Sequence, residues 1–311
     1  MNWGRMFGNC DYGFILPALA RFPVPLAHRL SDLRARIRFQ LRRVSRERAV
    51  ENLALAFPEK PPAELNRLAL ESFQVQARDE MESYWFDRPL PFLQSLVETE
   101  ELEVLREACQ RRRGVLLYTG HMGNPGIFLA LVGRLGFEMN LIFRSLEDIP
   151  LNPQAWVRFG NKRVSKLERA SGRTVRYAGR VSYFALRRLL RDHETLMMAI
   201  DVVPSLVGRT VTARFFGRSC VFPLGFTKLY LDARPSVVLW SSHHSENGKY
   251  RFLLKDITNE LEKMTTPEEV TQCLVTRLEE RLRLQPGIWL QWDALDQFFA
   301  ERKEGLRDLR D

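Results

Sequence analysis

A short apolar run, Val115-Leu116-Leu117-Tyr118-Thr119, ends in the turn Gly120-His121-Met122-Gly123-Asn124-Pro125-Gly126 and is followed at once by a second apolar segment, Ile127 to Leu135. An apolar strand that turns through glycine into an apolar helix has to fold its helix back over the strand it leaves. That constraint recurs along the chain. Strands are predicted at 115–119, 139–144, 195–200 and 236–242, with helices near 124–135, 151–168 and 180–191. The alternation predicts an α/β fold with a mixed, mostly parallel central sheet flanked by helices. In such sheets the ligand cleft lies beyond the carboxyl ends of the strands. His121 follows the first of these strands, Arg144 ends the second and Asp201 follows the third. Three polar groups of different chemistry at successive strand ends mark a candidate site.

The 311 residues suffice for a substantial core, and a formal charge of +9 implies an anionic partner: nucleic acid, an anionic membrane, or a phosphorylated or phosphopantetheinylated substrate. The arginines come without zinc-finger, RRM or OB-fold signals, so no nucleic-acid partner is expected. Cys10, Cys109, Cys220 and Cys273 are scattered and never form CxxC, which fits neither a disulfide framework nor a metal site. The adjacent His243 and His244 point in different directions and have no carboxylate at ligand spacing, so no metal is predicted. His193, between Asp192 and Glu194, reads as a surface residue.

The N-terminal stretch Tyr12 to Ala20 is apolar but interrupted by Pro17 and ended by Arg21, short of the roughly 20 residues a membrane span needs. Only Arg5 precedes it as a positively charged side chain and no cleavage site follows, so it does not read as a signal peptide. Leu30, Leu33, Ile37, Leu41 and Val44 then line one helical face among eight arginines between Arg29 and Arg48. A basic amphipathic helix behind an apolar hook reads as a membrane-surface arm or as an ordinary helix packed on the core. Pro58, Pro61 and Pro62 break the chain, and residues 63–87 and 99–112 are predicted helical.

The expected organisation is an arm and helical subdomain over 1–97, an α/β domain over 98–299, and a charged tail over 300–311. Residues 267–284 form a helix with Val270, Leu274, Leu278 and Leu282 on one face, leading to Trp289 and Trp292. Those tryptophans read as core or as a membrane-interface pair. Arg209, Arg214, Arg218 and Lys228 surround Phe215-Phe216-Gly217, either as a basic rim for an anionic partner or as a solvated face.

Taken in order, these segments resemble the lysophospholipid acyltransferase superfamily, and within it the bacterial lipid A late acyltransferases. The segment Glu51 to Pro58, the block Gly120 to Asn124, Phe143-Arg144 with Asn152-Pro153, Asp201 with Phe215-Phe216-Gly217, Pro235 to Val238 and the closing run Gln285 to Trp292 carry the resemblance. It implies acyl transfer from acyl carrier protein or acyl-CoA, as cosubstrate and without a bound cofactor, to a lipid hydroxyl at the cytoplasmic face of the inner membrane. An unactivated alcohol needs a base as it attacks the thioester, and an imidazole serves best when a carboxylate holds its other nitrogen. His121 is the expected base and Arg144 the expected phosphate- or substrate-positioning cation. The amides of Gly123 and Asn124 are oxyanion candidates.

The family pairs its histidine with an acidic residue five positions on, where this chain has Gly126. Three readings stay open. A carboxylate comes from elsewhere, with Asp201, Glu147 and Asp148 as candidates; His121 acts alone on an easier acceptor such as an amine; or the protein binds lipid, acyl carrier protein or a partner enzyme without turning over.

Overall fold

A computed structural model of the chain describes residues 10–99, 102–145, 147, 154–245 and 247–301. Helices α1 (Val24–Leu41), α2 (Arg43–Ala56) and α3 (Pro62–Glu82) precede β1 (Val97–Thr99). Next come α4 (Glu103–Gln110), β2 (Val115–Thr119), α5 (Pro125–Arg134), β3 (Met139–Phe143), α6 (Gln154–Ser171), β4 (Arg176–Tyr177), α7 (Tyr183–Arg191) and β5 (Thr195–Ala199). The hairpin β6 (Thr210–Phe215) and β7 (Arg218–Pro223) leads to α8 (Leu224–Ala233), β8 (Ser236–His244), β9 (Tyr250–Asp256) and α9 (Pro267–Leu284).

The main sheet has seven strands in the order β1-β9-β8-β2-β5-β3-β4, parallel at every pairing except β8–β9. The mixed, mostly parallel sheet expected from the alternation is therefore present. Strand β2 lies at its centre, with Val115 opposite Ser236 on one side and Thr195 on the other. All five β2 residues are buried, as a strand covered on both faces requires. Val115 and Leu117 face a core with Phe128, Trp240 and Phe252, whereas Leu116 and Tyr118 face one with Phe215, Trp289 and Trp292. Both tryptophans of the closing run are fully buried, which removes them from any membrane interface.

Strands β1, β4, β9 and the β6–β7 hairpin are absent from the sequence reading. The first two are only three and two residues long, too short for a period to register. His193 sits exposed in the turn from α7 to β5, with a φ of 66°.

The arm differs from its expected form in two ways. The chain breaks at Arg42, so the single amphipathic helix becomes α1 and α2. The apolar stripe also faces outward: Leu33, Ile37, Leu41 and Val44 are 54, 53, 76 and 67% exposed. Phe14, Ile15, Phe22 and Leu26 extend the same exposed set. The inward face of α1 carries His28, Ser31 and Arg34 instead, beside Ala27, Ala35 and Phe39. Ion pairs to buried Glu80 and to part-buried Asp11 and Asp32 turn the helix this way. Arg34 donates to Asp11 and Glu80, Arg38 donates to Glu80, and Arg78 of α3 donates to Asp32. Among the described residues no helix is long and apolar enough to cross a membrane.

Candidate active site

The turn after β2 carries His121 to the carboxyl edge of the sheet, and the segment after β5 carries Asp201 to the same place. Backbone register sets this meeting. Strands β2 and β5 pair residue for residue from Val115–Thr195 to Thr119–Ala199, and Ile200 N–H continues the ladder to the Thr119 carbonyl. Asp201 is fully buried and accepts from the His121 amide at 2.7 Å, the His121 ring Nδ1 at 2.8 Å and the Trp289 indole at 2.7 Å. Gly120 makes this approach possible. A Cβ there would lie 2.9 Å from the Asp201 Oδ2 and 2.8 Å from Leu278 Cδ1.

Burial opposes ionisation of both groups, but each is the other's dominant counter-charge. Asp201 is held below the usual carboxylate range and His121 above the usual imidazole range. With Asp201 ionised, the ring proton belongs on Nδ1, which leaves the Nε2 lone pair free. The Gln291 carboxamide also meets Nδ1, with Nε2 placed at 2.7 Å and its own buried oxygen without a partner. Hydrogen-bond logic turns that amide over, so that its oxygen accepts from the same ring N–H. The His121 side chain is 41% exposed, open on the side away from Asp201.

Of the alternative carboxylates, Glu147 faces Asn161 and Arg180, and Asp148 lies outside the described residues. Gly126 offers no route to an acid either. A Cβ on Gly126 would stand 1.8 Å from Cζ of Phe86, so the ring of Phe86 fills the space a longer side chain would need.

Two expected substrate contacts are committed elsewhere. The Gly123 amide donates to the Ile288 carbonyl at 2.9 Å and the Asn124 amide to the Ser242 hydroxyl at 3.4 Å, so neither is a free oxyanion donor. Asn124 is 1% exposed and caps α5 by accepting from the Ile127 N–H at 3.0 Å. Its carboxamide donates to Glu82, a buried carboxylate. Arg144 donates to the Leu206 carbonyl, its Nε is buried without a partner, and among the described residues it has no carboxylate partner. Asn152 and Pro153 lie outside the described residues.

One cation whose charge bears on the His121 ring was not among the residues singled out from the sequence. Arg163 of α6 forms a two-pronged pair with buried Asp79 at 2.5 and 2.7 Å and lies over the Phe86 ring at 5.3 Å. The charges of both Asp79 and Arg163 act on the His121 ring. Nothing in the local pattern of α6 distinguishes Arg163 from Arg158, Lys162 or Lys166; only its meeting with Asp79, distant in the chain, does. A groove of about 410 Å³ beside it is lined by Tyr84, Lys162, Arg163, Lys166 and Arg169. The expected rim residues Arg209, Arg214, Arg218 and Lys228 are exposed, with Arg218 over Phe299 and Lys228 over Tyr183.

The chain matched none of the curated proteins with which it was compared. The family model for bacterial lipid A biosynthesis acyltransferases, in contrast, matches residues 5–292. That span takes in the arm, the whole sheet, the His121–Asp201 pair and the closing tryptophan run. The protein therefore belongs to the bacterial lipid A biosynthesis acyltransferase family, and its fold brings a histidine and a buried aspartate together from the ends of two adjacent strands.

Proposed function

We propose that this acyltransferase moves a fatty acyl chain from an acyl thioester, carried by acyl carrier protein or CoA, to a hydroxyl of a lipid A-type or related lipid acceptor. The observation that carries the reading is the 2.8 Å contact between His121 Nδ1 and fully buried Asp201. His121 Nε2 takes the acceptor's proton as its oxygen attacks the thioester carbonyl. Asp201 holds the tautomer and stabilises the imidazolium that results. Collapse of the tetrahedral intermediate breaks the C–S bond, and the imidazolium returns the proton to the departing thiolate. Arg163 spends two of its N–H donors on Asp79, leaving the rest for a developing oxyanion or a substrate phosphate.

The acceptor reaches this site from a membrane surface against which the outward stripe of α1 lies. The exposed apolar set from Phe14 to Val44, flanked by exposed Arg29, Arg36 and Arg43, supports peripheral binding to an anionic bilayer. On this reading the site works at a membrane surface, and the family resemblance supports the cytoplasmic face of the inner membrane as its place.

The test is transfer of a labelled acyl group from acyl carrier protein or CoA to membrane lipid, by wild type and His121→Ala. Product from wild type and none above background from the variant is expected. Equal product from both removes His121 from the chemistry. No product from wild type with any acceptor, while liposome or carrier binding persists, would instead mark a binding protein. Flotation with anionic vesicles of Leu33→Asp/Ile37→Asp/Leu41→Asp tests the arm: membrane binding is expected to fall at least tenfold, and undiminished flotation removes α1 from the interface.

A further inference from the structure

Beneath the catalytic turn lies a further buried carboxylate that takes no part in the proposed proton transfers. The Glu82 side chain is fully buried at the end of α3. Its Oε1 meets His28 Nε2 of α1 at 2.5 Å, and its Oε2 accepts from the Tyr250 hydroxyl of β9 at 2.5 Å and from the Asn124 carboxamide. Desolvation alone would raise Glu82, but hydrogen bonds from His28, Tyr250 and Asn124 with the charge of His28 hold it below the usual range. It is thus a buried charge joining four elements of the fold.

Stability does not explain such a group, because well-packed apolar residues usually serve at least as well as buried charges. Its contacts do suggest a use. Asn124 stands three residues after His121 and is held at both ends of its carboxamide, by Glu82 on one side and the Ile127 N–H on the other. One turn beyond Glu82, Phe86 packs on Gly126. The end of α3 and the turn that follows it thus grip the start of α5 at two points, and the bare Gly126 is what admits the second.

We propose that Glu82 is a positioning residue for His121: by holding Asn124 it fixes the turn between β2 and α5, and through His28 it ties that turn to the arm. Where the family places an acid on α5 beside the histidine, this chain uses Asp201 for the ring and Glu82 with Phe86 for the turn. The activity arm of the test rests on the acyl-transfer reading; the spectroscopic arm does not.

The decisive variant is Asn124→Asp. Aspartate caps a helix as well as asparagine does, so α5 keeps its N-cap. It also sets a second carboxylate against Glu82, and two such groups share one proton whose pKa is strongly raised. At low pH the shared proton restores a donor between them; at high pH it leaves and they repel. The double variant Asn124→Asp/Glu82→Gln exchanges the partners. The amide introduced on α3 donates to the carboxylate introduced at the N-cap of α5 and to the Tyr250 hydroxyl, and its oxygen still accepts from His28.

Acyl transfer and the ¹⁵N-histidine ring spectrum of His121 are followed against pH, with melting temperatures as the control for folding. Asn124→Asp is expected to lose about 10- to 100-fold in kcat on a new alkaline limb, with little change in KM. Its His121 ring signal should shift or broaden over the same pH range, and the exchanged pair should remove both effects. Wild-type kinetics and an unmoved ring signal in Asn124→Asp overturn the proposal. So does an exchanged pair no better than the single variant, or a loss that only follows the melted fraction. If wild type transfers no acyl group but the ring signal still responds, the acyl-transfer reading fails and the positioning role stands.

Discussion

Replacing Asp201 with asparagine separates the orienting role of this carboxylate from its place in the fold. Two of its three donors, the His121 amide and the Trp289 indole, converge on Oδ2, while the His121 ring N–H meets Oδ1. Asparagine has one acceptor oxygen, which is best placed where two donors converge. Its NH₂ then faces His121 Nδ1 and can only donate. With the Gln291 amide turned back so that its NH₂ donates as well, the ring accepts there and carries its proton on Nε2, the nitrogen that faces the cleft. Two of three buried bonds survive, so the fold loses about 1–3 kcal/mol. The base, however, is blocked. A wrong tautomer in a comparable dyad lowers kcat about 10⁴-fold, and a loss of about 10³- to 10⁴-fold is expected here. Losing the negative charge also removes what holds the imidazole above its ordinary range, leaving burial to push it down. The acid limb of kcat/KM, expected above the usual imidazole range in wild type, should therefore move to lower pH in whatever activity remains. The assay is transfer of labelled acyl chains across a pH series, with ring ¹⁵N shifts reporting the tautomer. Asp201→Asn within tenfold of wild type, or a ring still protonated on Nδ1, would refute the reasoning.

Two further predictions concern stability. Gly126→Ala places a Cβ 1.8 Å from Phe86 and should lower stability by about 1–3 kcal/mol through overpacking, despite alanine's better helix propensity; thermal unfolding checks it, and Phe86→Leu in the same chain should recover part of the loss. Glu80 is buried, and the Arg38 and Arg34 guanidinium groups overcome desolvation to hold it at about 2, so its contribution to stability is fully present above the ordinary glutamate range and is lost as pH falls through about 2. Acid titration of the wild type should therefore release α1 from α3 late, whereas Glu80→Gln leaves Arg38 without its counter-charge and Arg34 with Asp11 alone, and should cost about 3–5 kcal/mol at neutral pH; equal urea midpoints for the two proteins would contradict this.

Much of the architecture was legible in the chain itself. The runs Val115 to Thr119 and Ser236 to Ser242 are buried throughout and carry unbroken apolar stretches at Val115 to Tyr118 and Val237 to Trp240, because their strands are covered on both faces, and so they announce a mostly parallel sheet. His121 was legible for a related reason: a strand followed by a glycine turn and a helix must end at the cleft edge of the sheet. The helix at 267–284 was also legible, because a capping box at Thr266 and Glu269 and an apolar face define it locally.

What escaped the sequence depends on which distant residues are neighbours. The stripe of leucines in the arm reads the same whether it faces the core or the bilayer; the charges of Asp11, Glu80 and Glu82 turn α1 so that it faces out. Arg163 looks like any basic residue of α6 until Asp79 and Phe86 meet it. The sequence by itself determined that a histidine stands at a strand end in an acyltransferase frame, with a glycine where the family's acid belongs. Only the tertiary structure decided what that glycine means. Parallel pairing of β2 and β5 sets Asp201 level with His121 from 80 residues away. Phe86 occupies the space over Gly126, and side-chain contacts between residues so far apart in the chain leave no period or spacing in the sequence to read.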